Sequence, residues 1–180
     1  MLFPMDPERS LLQHFLAALA YRTQKAVREA PAAFGDFDAG HGVRTPRALV
    51  RHMTQVLDFA RSCFGQPRQR PEPLPNLADE IARLHATIAD VAEALASERS
   101  IVAGMTVERL LQGPLADAMT HAGQLAMLRR LADCPIPPEN FAAADVDARR
   151  LGVQQSAPVA PATEWPEAPA GWAPPPPRGQ

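Results

Sequence analysis

The sequence predicts an all-α fold, a bundle of four long helices followed by a proline-rich extension. Four segments repeat apolar residues at helical steps, no segment reads as a strand, and the composition turns proline-rich after Pro135. With 180 residues, 46% of them hydrophobic, the chain is long enough to bury one substantial core.

The first helix is announced by Asp6-Pro7-Glu8. Asp6 can cap free amides, Pro7 suits the first helical position and Glu8 complements the helix dipole. Periodicity carries this helix to about Glu29, with Leu11, Leu12, Phe15, Leu19, Ala26 and Val27 as its inner stripe. Pro31 to Arg44, with Gly35, Gly40 and Gly42, has loop composition. Thr45-Pro46 repeats the cap-and-proline signal and opens a second helix, with Leu49, Met53, Val56, Ala60 and Cys63 inward and a stop near Gly65.

Four prolines between Gln66 and Asn76 each remove an amide donor and restrain the preceding residue, so this stretch is expected to be extended. Leu77, Ile81, Leu84, Ile88, Val91 and Leu95 then alternate steps of four and three, the signature of a bundle seam on helix three. A short turn of helix over Thr106 to Gln112 is expected before Gly113-Pro114, which begins the fourth long helix. That helix carries Leu115, Ala118, Ala122, Leu125 and Leu128 inward and stops at Cys134-Pro135. The connections after helices one and two are long for simple hairpins, which leaves the order of neighbours open.

The chain divides into a helical domain, 1–141, and a proline-rich extension, 142–180. Composition alone describes the extension as a disordered polyproline-rich tail. Its two tryptophans suggest instead a strap over 157–177, anchored on apolar side chains by Trp165 or Trp172.

A net charge of -2 and a pI near 6.2 supply no basic excess for phosphate neutralisation, so nucleic acid is not an expected partner. The most apolar stretch, Leu11 to Ala20, is broken by Gln13 and His14, and Asp6 and Glu8 sit where an export leader would be cationic. The expectation is a cytoplasmic protein with no membrane partner. Cys63 and Cys134 form no C-x-x-C unit and read as small buried hydrophobes.

One constellation can carry chemistry. Asp117 and His121 stand four residues apart, one turn apart on one helical face, which is the separation that grips a single ion. His52, between Leu49 and Val56, points near the interior from the second helix, and metal sites in bundles are built from such inward side chains on different helices. Each residue also has a structural explanation. A histidine on an apolar stripe commonly serves as a hydrogen-bonded core residue, and Asp117 in a first turn complements the helix dipole. Gln124 would then bond across helices and Gly123 would permit close approach. His14, His41 and His85 have no obvious second ligand and are assigned structural roles.

The strings Arg44-Thr-Pro-Arg-Ala-Leu-Val-Arg-His52-Met and Gly113-Pro-Leu-Ala-Asp-Ala-Met-Thr-His-Ala-Gly-Gln124-Leu-Ala-Met-Leu-Arg-Arg resemble the two metal-binding segments of the DinB-like superfamily. The resemblance spans roughly Pro7 to Phe141 and implies an antiparallel four-helix bundle of the DinB-like type. It also implies a divalent metal ion, Zn, Ni, Fe or Mn, held by His52, Asp117 and His121. The family pattern usually has a third histidine where this chain has Asp117. A carboxylate acidifies bound water or thiol less than an imidazole would, and its shorter side chain can act through water. The implied activity is that of a thiol S-transferase, joining a low-molecular-weight thiol to a small electrophile. The alternative is a metal-stabilised or ligand-binding bundle without turnover, acting as a homodimer. The sequence assigns no catalytic residue beyond the metal ligands.

Overall fold

The structure is a computed structural model that describes residues 6–97, 99–162, 164–166 and 168–170. It is helical, with no strands among the described residues. Asp6 accepts the Glu8 amide at 3.0 Å and opens α1 (Pro7–Val27). Thr45 accepts the Ala48 amide at 3.3 Å and opens α2 (Pro46–Ser62), and Asn76 accepts the Asp79 amide at 2.9 Å at the start of α3 (Leu77–Ala96). In each case a side-chain oxygen satisfies an amide that the helix itself leaves orphaned.

The short α4 (Val107–Leu110) runs through a π-type turn, Leu111–Leu115, directly into α5 (Ala116–Leu131). Pro114 therefore does not begin a helix but lies inside this turn, and Gly113 beside it takes a non-helical backbone (φ −92°, ψ −105°). The wider turn accommodates a residue that cannot donate an amide hydrogen.

The four long helices share one core: α2 packs on α3 and α5, and α1 packs on the same two helices. The inner stripe of α1 holds at Leu12, Leu19, Ala26 and Val27, all buried, with two differences: Leu16 belongs to it and Leu11, 64% exposed, does not. The segment 31–44 is not wholly irregular, since Ala32–Asp36 winds a 3-10 helix that buries Phe34.

Beyond α5 the chain is pinned along the helices rather than loose. Arg129 donates to the carbonyls of Cys134 and Arg28, at 2.6 and 3.1 Å. Glu139 accepts the Tyr21 hydroxyl at 2.7 Å, and Lys25 donates to the Pro137 carbonyl. The Arg22 guanidinium lies 3.9 Å from the centre of the Phe141 ring, and Tyr21 meets the same ring edge-on. His85 on α3 donates from Nδ1 to the Leu151 carbonyl at 2.7 Å, and Arg28 donates to the carbonyls of Gln155 and Ser156. Two backbone bonds then join 138–140 to 160–162 around an isolated antiparallel bridge, and Trp165 is buried at 8% exposure. The described part of the tail packs along the helices as a strap, and it begins well before Ala157. Trp172 and Pro174 to Pro177 lie outside the described residues.

Candidate metal centre

Asp117 and His121 occupy the first two turns of α5, and His52 occupies the second turn of α2, which packs against α5. One ligand atom from each residue lies within 4.8 Å of the others, and no other such group of three occurs among the described residues. The His52 and His121 rings meet edge-to-face with centroids 4.9 Å apart. Asp117 Oδ1 stands 3.3 Å from His121 Nε2.

These separations suit an ion. Two ligands at about 2.1 Å from a tetrahedral zinc lie about 3.4 Å apart, so the Asp117–His121 pair already has that spacing. His52 offers its ligand atom within 4.8 Å of both. The donor set of two imidazoles and one carboxylate matches borderline divalent cations.

His121 is 8% exposed, and its Nε2 has no hydrogen-bond partner among the described residues. A buried ring nitrogen is costly to leave without one. The other ring nitrogen is engaged, because Nδ1 lies 2.8 Å from Gln124 Oε1. An amide oxygen only accepts, so Nδ1 carries the hydrogen of that bond, and Nε2, which faces Asp117 and His52, is the ring atom left for a metal. Gln124 therefore orients His121 from its own helix instead of bonding across helices. Gly123 is exposed, and a Cβ there would meet nothing within 4 Å, so close approach does not explain it.

Burial pushes the His52 pKa below its ordinary value, with Arg44 and His121 adding to the shift and Gln55 and Asp117 opposing it. The neutral imidazole that results is the form that binds a metal. Asp117 is half exposed, which leaves one side of the cluster open to solvent.

A cavity of about 490 Å³ adjoins the cluster, lined by Val43, Arg44, Leu49, Gln124, Met127 and Leu128. It touches the centre through two residues: Gln124 holds His121, and Arg44 acts electrostatically on His52. The sequence reading gave Arg44 no role of its own and did not anticipate the cavity. Gln124 carried a signal, its place three residues after His121.

No family model, curated protein or solved structure matches this chain. The remaining histidines take structural positions: His14 and His41 are exposed, and His85 is buried beneath the strap. Of the cysteines, Cys63 is buried and Cys134 half-buried, and both are free. No helix among the described residues is long and apolar enough to cross a membrane.

Proposed function

We propose that this protein is a metal-dependent bundle of the DinB-like type, with antiparallel helices, that binds one divalent ion through His52, Asp117 and His121. The observation that carries the proposal is the convergence of three ligand atoms from two helices within 4.8 Å, one of them a buried Nε2 with no other partner. A divalent ion bound there supplies Lewis acidity and favours the thiolate form of a small thiol at neutral pH. The reaction we assign is transfer of that thiol to a small electrophile: the sulfur lone pair forms the new carbon–sulfur bond as the leaving group departs, and the thiol proton passes to solvent.

Each residue has a part in this scheme. His52 and His121 supply neutral nitrogen ligands from opposite sides of the α2–α5 seam. Asp117 supplies an oxygen and lowers the charge of the centre, and the 3.3 Å spacing to His121 supports direct coordination over coordination through water. Gln124 fixes the His121 tautomer. The half-exposed Asp117 and the adjoining cavity favour an open coordination position over the closed set of a purely structural site, and so favour turnover over a non-catalytic homodimer.

Two measurements test the proposal. Elemental analysis of untagged protein is expected to find about one divalent ion per chain, a stoichiometry set by the single three-ligand cluster. An electrophile such as 1-chloro-2,4-dinitrobenzene should be consumed only with thiol present, with activity lost to chelator and restored by metal. Absence of metal from the wild type refutes the centre. A bound metal with no thiol dependence across varied electrophiles refutes the transferase assignment.

A further inference from the structure

The cavity beside the cluster has a composition of its own. Val43, Leu49, Met127 and Leu128 give it one apolar side, and its volume of about 490 Å³ is enough for a small organic molecule. It is a groove open to solvent, with Val43 and Met127 46% and 51% exposed, and its lining is as polar as it is apolar. Two polar side chains share this groove. Arg44 makes no hydrogen bond or ion pair among the described residues, in contrast to Arg47 with Asp36, Arg61 with Asp58 and Arg83 with Glu80. Gln124 spends its amide oxygen on His121, while its amide nitrogen, with two hydrogens to donate, has no protein acceptor among the described residues.

The wall that carries Arg44 is a loop turned by Gly40 and Gly42, both at positive φ (75° and 72°). That backbone is open to glycine at no steric cost, and it brings the loop up against α5 so that Arg44 and Gln124 line the same space. A guanidinium without a carboxylate partner, an amide donor and an apolar side are together complementary to one class of ligand. That class is an organic anion with an apolar body.

We propose that this cavity binds a small organic acid, its carboxylate held by Arg44 with help from Gln124 and its apolar body lying against Val43, Leu49, Met127 and Leu128. The acid is the acceptor class for the thiol transfer. That role rests on the proposed function, whereas the binding itself does not. Because Gln124 bonds His121, an acid gripped by Arg44 and Gln124 lies next to the metal ligands.

The test uses 4-phenylbutyrate and its neutral amide, titrated calorimetrically into the full chain. Metal is first removed with chelator, so that a carboxylate cannot be held by an ion. Wild type is expected to bind the acid about tenfold or more tightly than the amide, the ratio a charge-assisted bond supports. Arg44→Gln should reduce that ratio to near one while keeping wild-type helicity by circular dichroism, and Met127→Trp should weaken both probes by filling the apolar end. No binding of either probe, equal binding of both, or a preference that survives in Arg44→Gln overturns the proposal, as does a preference that appears only when metal is restored. Metal content measured on each preparation before chelation separates the two claims. Acid preference without metal keeps the pocket and removes the transferase, and metal without acid preference does the reverse.

Discussion

Two histidines of this protein are buried to nearly the same degree, His85 at 2% and His121 at 8% exposure. Both have Nδ1 bonded to an oxygen and Nε2 without a hydrogen-bond partner among the described residues. They differ in what surrounds the free nitrogen. His121 Nε2 faces a carboxylate oxygen and a second imidazole, whereas His85 belongs to no group of three metal-ligating side chains among the described residues. Burial and tautomer therefore do not make a ligand. What sets the α2–α5 seam apart from the face of α1 and α3 beneath the strap is a second and a third possible ligand, Asp117 from the same helix and His52 from α2.

The largest effect expected from breaking this contrast is on metal content. His52→Ala or His121→Ala should lower metal affinity by more than about 100-fold, since each removes a direct ligand where losing a supporting contact alone costs 10- to 100-fold. Titration with zinc monitored by elemental analysis checks this, and equal metal in all three proteins would place these residues among ordinary core histidines. At a metal concentration of 100 times the dissociation constant, wild type should gain about 2.7 kcal/mol of stability, and His121→Ala should gain none. Gln124→Leu comes next, with affinity lowered about 10- to 100-fold and the metal-free melting temperature nearly unchanged, because only the His121 tautomer is released.

Under the strap the signs reverse. His85→Leu should leave metal content untouched and cost about 1–3 kcal/mol, the range for losing a buried hydrogen bond, with faster proteolysis near Leu151. His85 also sets a pH dependence, because burial lowers its pKa below the ordinary 6.5 while the bond to Leu151 opposes the shift. The folded state then binds fewer protons than the unfolded one, so this contribution is complete above the unfolded value and is lost as pH falls from about 6.5 through the lower folded value. Denaturant melts of wild type and His85→Leu across that window should differ in slope. The smallest effect is expected for Phe141→Ala, about 1–2 kcal/mol from the Arg22 and Tyr21 contacts, with the metal site again unaffected.

The first two helices were legible because their starts are local chemistry, Asp6 and Thr45 capping the amides next to them in sequence, whereas helix three was legible from its apolar steps and its cap, Asn76, was not read. The face of α1 was less legible. Leu11 and Leu12 are adjacent apolar residues, and periodicity alone does not say which of the two turns outward. The pairing of Asp117 with His121 follows from helical spacing, but their approach to His52 depends on which helices are neighbours, and the long connections left that order open. The strap was the least legible, because its anchors are side chains reaching the carbonyls of Pro137, Leu151, Gln155 and Ser156, and a carbonyl has no letter in the sequence.

The π-type turn before α5 has a consequence for the angular phase of the site. Leu110 and Leu115 are five residues apart, yet both are 1% exposed. In a regular α-helix five steps of about 100° would leave them some 140° apart around the axis, and the break at Gly113, whose backbone is non-helical, absorbs that difference. The break lets α4 stay in the core while α5 takes its own direction, with Asp117 and His121 toward α2. Removing one residue from Leu111–Leu115 would leave Asp117 and His121 in the chain and change how α5 leaves α4. The bearing of the ligands is set upstream of them, by a turn that contains none.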